Sequence, residues 1–424
     1  MNISDRNIIL LSMVLALLLS LLLATTGFYG RTQHLIDDQI QLKWGEVSDF
    51  SDIVIIDIDE SSMQALSSQL GTWPYERYVY GSLLEFLRQS GANKVVFDIL
   101  FSEPRAGDSE FLQQIRKTDQ VHLAAVLLHD YRFEDARQKG LLLEKRWQVI
   151  NHPDINIKGA LFPIYDLLQS AQTGLISIIP DADGALRDVP LIFNIDEDFM
   201  PAMALSVLAG KPSETLTFDW DSRLAHYLDY EWPVNDNGTV TLKYPANVTA
   251  LPVVPFYKVL LAMLSANPEG VTKETFAGKT VFIGSSAAIL GDYTYIPGRG
   301  RIHGLGVLAM TYHSLKHDNV LRRGDFTYNF LVTLPWLLIL GSLLLRHGIQ
   351  PVSLYVGYIV ATLIASVFVI ILYRNQNVQA WLLFPTLLGL LFVTIVTLIQ
   401  AIHLQFEKQK LYFEKVAAEQ AKEL

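Results

Sequence analysis

The chain has 424 residues, half of them apolar and only 18% charged, with a formal net charge of −10 and a mean hydropathy of +0.27. That balance excludes disorder, argues against an ordinary soluble enzyme, and offers no basic footprint for nucleic acid. The absence of cysteine excludes disulfides, thiolate metal ligands and a cysteine nucleophile.

The apolar residues fall into four blocks. Residues 8–28 carry no charge and are long enough to cross a hydrocarbon core of roughly 30 Å. They exceed the apolar core of a signal peptide and no small-residue cleavage site follows, so they read as an uncleaved first membrane span. A long polar segment, 30–325, comes next, and then three more spans at 326–345, 352–373 and 378–403. Pro335 and Pro385 fall inside spans, which membrane helices tolerate. Tyr328, Trp336, Tyr373 and Trp381 lie near span ends, where interfacial aromatics concentrate. Four crossings put both termini on one side. Arg346, Lys408, Lys410 and Lys415 place that side in the cytoplasm, while Arg322 and Arg323 vote the other way. Large domains translocate largely regardless of charge, so 30–325 is expected outside. No Asp, Glu, Lys or Arg lies in mid-span, which argues against a transporter.

Within the outer segment, 51–59 (SDIVIIDID) reads as a buried strand and 78–90 as a helix stopped by Gly91. A second buried strand is read at 94–101 (KVVFDILF), a helix capped by Asp108 or Ser109 at 108–117, and a third strand at 122–128. Alternating strands and helices predict an α/β domain with a mainly parallel sheet. A charged insertion around Arg132, Glu134, Asp135, Arg137 and Lys139 follows. Next come a helix at 164–171, two strands around the turn Asp181-Ala182-Asp183-Gly184, a helix at 201–209 and a strand at 239–243. Gly278-Lys-Thr-Val-Phe-Ile-Gly284 reads as a turn and a last strand, and 303–317 as a helix. After the fourth span, 404–424 has neither Pro nor Gly. Leu404 with Leu411, and Phe406 with Phe413, give heptad-like spacing for a cytoplasmic linker helix that could enter a coiled coil.

Several of these segments together resemble the CHASE2 family of extracytoplasmic sensor domains. Asp57-Ile58-Asp59-Glu60-Ser61 after a strand is similar to the family's start, and Trp73-Pro74-Tyr75-Glu76-Arg77 to its W-P-x-x-R motif. Phe97-Asp98-Ile99-Leu100-Phe101-Ser102-Glu103, with Asp108 beyond, resembles its strand end. Asp181-x-Asp183-Gly184-x-x-Arg187 resembles its D-x-D-G-x-x-R turn. Gly278-Lys279 to Gly284, followed by Asp292 and Pro297, resembles its close. One span before the domain and three after it is also the family's layout. One position departs: in Gly304-Leu305-Gly306-Val307-Leu308-Ala309, Leu308 stands where the family tends to have histidine.

The acidic strand ends Asp57, Asp59, Asp98, Glu103 and Asp108 admit two readings. They cap turns and helices, or they gather at the carboxyl edge of an open sheet, with Asp57 and Asp98 near the ends of two neighbouring strands, where ligands or a hard cation bind. Trp73 with Arg77 either lines a pocket or packs a loop with Arg77 tied to a local acid such as Asp98. Asp183 with Arg187 either binds or ties its own turn, and Asp292 enters as a ligand candidate through the resemblance. Gly284-Ser285-Ser286-Ala287 hints at anion binding. There is no P-loop, G-x-G-x-x-G, G-x-S-x-G or H-E-x-x-H, and the ten histidines are read as scattered, so no cofactor, zinc site or catalytic set is expected.

The resemblance implies a bacterial inner-membrane receptor that takes an outside ligand or protein signal, and a homodimer through the spans and the final helix is expected because a short amphipathic helix is not stable alone. Its output would be a cyclase, diguanylate cyclase, kinase or phosphatase domain outside these 424 residues. A membrane scaffold that signals to a separate cytoplasmic partner is the alternative. A cation-dependent outer enzyme using Asp57 or Asp98 is a third reading.

Overall fold

Segments of opposite composition separate the chain into two units: Met1–Ile40 with Arg323–Leu424, and Gln41–Arg322. The computed structural model describes residues 3–118, 120–128, 145–153, 156–157, 159–195, 198–211, 214–264, 270–287 and 293–423. The charged insertion from Arg132 to Lys139 and the candidate Asp292 lie outside the described residues.

The outer unit is built on short runs of β-branched and aromatic residues. These are β1 (Ile53–Asp57), β2 (Lys94–Phe97), β3 (Val121–Leu127), β4 (Gln172–Leu175), β5 (Val253–Pro255) and β6 (Thr280–Gly284). They pair in the order β5-β1-β6-β2-β3-β4, every pair parallel. Ala160–Leu161 adds one antiparallel pairing to β3. Strands buried on both faces need apolar residues at every position, which is why these runs do not alternate with polar residues.

The twofold period of a strand sorts its side chains between two cores. Val54, Ile56, Val95, Phe97 and Ile283 face one core, with the helices α1 (Glu60–Leu70), α2 (Arg77–Gln89), α3 (Asp108–Ile115) and α5 (Phe256–Leu264). Between α3 and α5 in chain order lies α4 (Met203–Ala209). Ile53, Ile55, Val96 and Phe282 face the other core, with α4, α6 (Gly304–Lys316) and two small sheets. One small sheet is the antiparallel run Leu216–Asp219, Leu224–Tyr227 and Tyr230–Pro233. The other pairs Thr239–Leu242 with Asp188–Pro190 and with the strand Val320–Arg323.

Three expectations are corrected here. The strands ending near Asp57 and Asp98 are not neighbours, because β6 lies between them, with Ile283 opposite both Ile56 and Phe97. Nor is β6 the last strand: Tyr293–Ile296, Gly300–His303 and Val320–Arg323 follow. Asp108 is not the cap of α3. Gly107 holds the cap position at φ +85°, and the Asp108 carboxylate accepts from the Arg105 amide at 2.8 Å. The strands flanking Asp181–Gly184 form, but they enter different sheets, β4 beside β3 and Asp188–Pro190 beside Thr239–Leu242.

The membrane unit has four helices long and apolar enough to span: Ile3–Ala24, Phe326–His347, Pro351–Gln376 and Leu383–Glu423. The first stops at Ala24, short of Phe28, because the Thr25 and Thr26 hydroxyls take up the Leu22 and Leu23 carbonyls. A second helix, Gly27–Trp44, then begins, which the sequence reading does not anticipate. Its Gln33 is buried, donates to Asp37 at 2.8 Å and accepts the Leu383 amide at 3.1 Å, which satisfies the start of the fourth membrane helix. That helix begins five residues later than position 378 and runs unbroken to Glu423, as the absence of Pro and Gly from 404–424 predicts. A small-residue stripe on the third span, Gly357, Ala361 and Ala365, is buried, and a Cβ at Gly357 would stand 2.3 Å from Leu343 Cδ1. Small residues at such contacts let membrane helices approach closely.

In the outer unit Gly174 on β4 marks an equally close approach, since a Cβ there would lie 2.5 Å from Met203 Cα and 3.0 Å from Ser206 Cβ. Gly174→Ala should push α4 off the sheet and cost about 1–3 kcal/mol. A thermal melt of the full-length protein in detergent should show a clear drop for Gly174→Ala and none for Gly30→Ala, where a Cβ meets nothing within 4 Å. Equal melts would contradict this packing.

Candidate ligand-binding site at the carboxyl edge of the sheet

In an open parallel sheet the strand ends form a crevice where ligands bind. Here β1 ends at Asp57, β6 at Gly284, and β2 at Phe97 with Asp98 next. The Asp57 carboxylate accepts from the Ser286 amide at 2.9 Å and from the Ser286 hydroxyl. Burial pushes the Asp57 carboxyl up, and the two Ser286 hydrogen bonds oppose it. Ser285 Oγ donates to the Ile58 carbonyl at 2.6 Å. The donors that suggested an anion site are therefore spent on an internal carboxylate and on the backbone.

Asp59 caps α1. Its Oδ1 accepts from the Ser62 amide at 2.7 Å and both oxygens accept from Ser61 Oγ. Burial raises the Asp59 pKa, but these bonds to Ser62 and Ser61 outweigh it and hold the group below its ordinary value.

Arg77 is 2% exposed at the start of α2. Its Nε donates to Asp108 Oδ1 at 3.2 Å and its Nη2 to the Glu103 carbonyl at 3.1 Å, with the guanidinium 4.4 Å from the centre of the Phe101 ring. Burial lowers the Arg77 pKa and Asp108 draws it back up. Its partner is thus Asp108 and not Asp98, and Glu103 contributes a backbone oxygen to it. Arg105 Nη1 reaches the Pro74 carbonyl at 2.8 Å, beside Trp73, which packs against the α1–α2 side of the core. Arg77, Glu103 and Asp108 together tie the loop after β2 to α2. Arg187, 5% exposed, holds Asp181 at 2.7 Å and Asp183 at 2.9 Å, and Gly184 supplies the φ of +81° that the turn needs.

Asp98 is different, because it lines a cavity of about 390 Å³. Asp98, Val126 and Leu175 bring to it the ends of three adjacent strands, β2, β3 and β4, while Gly304, Val307, Leu308 and Thr311 of α6 close the other side. Gly284 makes this possible: a Cβ there would stand 3.1 Å from both Asp98 Cβ and Leu305 Cδ1. Among the described residues lining the cavity, Asp98 is the one ionisable group. The rest of the wall is mainly aliphatic, and Leu308 adds to it where the family tends to have histidine. Such a wall suits an apolar ligand body oriented by one carboxylate. Among the described lining residues no second acid or base stands beside Asp98 for proton transfer. Sequence reading finds Asp98 but does not place Val126, Val307 or Leu308 on a cavity wall, since an apolar residue facing a cavity has the same pattern as one facing the core.

Asp108→Asn tests the loop tie. The change leaves a buried guanidinium without its counter-charge and should cost about 3 kcal/mol. Adding it to Arg77→Met should cost far less than it does alone. Additive losses in melts of the two single variants and the double variant would mean that the pair is not coupled.

The CHASE2 domain family model matches residues 9–347, from the first span through the outer unit to the end of the second span. No curated protein and no solved structure gives a significant match. The match covers most of the chain and fixes its context: a multi-pass inner-membrane protein with an α/β sensor domain on the periplasmic side. The chain belongs to the CHASE2 domain family.

Proposed function

We propose that this CHASE2 sensor binds a small ligand in the cavity at the carboxyl edge of its sheet. The ligand has an apolar body and one cationic or hydrogen-bond-donating group that meets Asp98. The observation that carries the reading is the placement of α6. The helix roofs the cavity through Val307, Leu308 and Thr311, and in sequence it is the last helix before the second span. A ligand that favours one of two α6 positions would bias everything that follows it in the chain. Shifts of about 1–2 Å are enough for such a helix to act as a signal.

The three C-terminal spans and the helix that continues to Glu423 would carry the change into the cytoplasm, in a homodimer. There it would reach a cyclase, diguanylate cyclase, kinase or phosphatase domain, or a separate partner engaged by 404–424. The cavity supports a binding role over an outer enzyme, because Asp57 is engaged by Ser286 and does not line the cavity with Asp98.

The test is a thermal-shift screen of the full-length protein in detergent, with small apolar amines set against carboxylates of matched shape. Amines should raise the melting temperature, by the equivalent of about 2.7 kcal/mol at a hundredfold excess over Kd. Asp98→Asn should weaken them at least tenfold, and Leu308→Trp should fill the cavity and abolish the shift. Carboxylates binding as well as amines, or amine shifts that survive both variants, would overturn the assignment.

A further inference from the structure

The opposite, amino edge of the same sheet carries a second cluster. Asp52 immediately precedes β1, and its carbonyl accepts the Thr280 amide of β6 at 2.9 Å, which fixes its place on the sheet. His313 and His317 lie in and just beyond the last turn of α6. Their i, i+4 spacing puts them on one face, with ring centres 4.4 Å apart. His317 Nε2 is 3.3 Å from Asp52 Oδ2, and His313 Nδ1 is 3.8 Å from Asp52 Oδ1.

Two of these atoms stand out. His313 is only 4% exposed, its ring packs on Phe50, and its Nδ1 has no hydrogen-bond partner. Asp52 Oδ1, the atom it faces, is also buried without one. Buried polar atoms left unpaired are rare and call for an explanation. At 3.8 Å the two do not bond to each other. They are instead close to the separation of two ligands on one ion. Donors about 2.0–2.1 Å from a tetrahedral zinc lie about 3.3 Å apart. One donor from each of Asp52, His313 and His317 can be chosen so that all three fall within 4.8 Å of one another.

We propose that Asp52, His313 and His317 bind one first-row divalent transition-metal ion, of the zinc class. Two imidazoles and one carboxylate suit zinc, nickel or copper, whereas calcium and magnesium prefer oxygen alone. The fourth position opens to solvent beside His317, whose side chain is 47% exposed. Lys316 Nζ sits on Asp52 Oδ2, the oxygen away from His313. It orients the carboxylate as an outer partner and also opposes the incoming positive charge. The bound ion would clamp the C-terminal end of α6 to the start of β1. The site shares no residue with the cavity lining.

The test uses full-length protein without a polyhistidine tag, in detergent, stripped of metal. Zinc is titrated against a chromophoric chelator, and cobalt is read by its visible absorption. One ion should bind per chain. His317→Ala, at a half-exposed position that leaves the core intact, should weaken binding at least tenfold. Asp52→Asn should do the same. Failure of the folded wild type to take up one equivalent, or equal affinity in wild type and His317→Ala, would overturn the site.

Discussion

The outer unit depends on one buried helix. Of the 13 residues of α6, ten are buried, and they contact the parallel sheet as well as the small sheets beyond it. A helix apolar on all sides is stable only when covered on all sides, so the sheet and the accessory strands are each needed to bury it. Two hydrogen bonds tie it to these neighbours. Tyr312 bonds the Thr280 hydroxyl at 3.1 Å, and Trp232 Nε1 donates to the Leu315 carbonyl at 2.9 Å. The second bond satisfies a carbonyl in the last turn, where a helix lacks an internal partner.

This placement gives the helix two working ends. The N-terminal half roofs the cavity beside Asp98, and the C-terminal end stands over Asp52 at the opposite edge of the sheet. Both edges are set by the same strands, since β1 starts next to Asp52 and β6 ends at Gly284, where the missing side chain admits Leu305 and Asp98. A change at either end therefore acts on one rigid element. The Arg77–Asp108 tie lies on the other face of the sheet and serves the loop that places Asp98.

Local pattern made much of this legible. The buried strands 53–57, 94–97 and 121–127, the four spans, the Asp59 cap and the turn tied by Arg187 all show in the residues themselves. What did not show depends on distant partners. Nothing in IVIID or KVVF announces that a strand some 180 residues further on will lie between them. The helix Gly27–Trp44 is hidden by its two glycines and by Gln33 and Asp37, polar residues buried because they bond each other and Leu383. Arg77 was recognisable as a structural arginine, but its partner was not, because loop geometry and not spacing brings Asp108 to it. The spacing of His313 and His317 was there to be read. It acquires meaning only beside Asp52, which is remote in sequence.

The central claim is that α6 carries the state of the sensor. Amide hydrogen exchange on the full-length protein in lipid nanodiscs, comparing wild type with Leu308→Trp, tests it most directly. Filling the cavity should change exchange along all of 304–317 and in the second span, 326–347. A change confined to the cavity wall around 175–180 and 202–204, with 304–317 and the span unaltered, would contradict it.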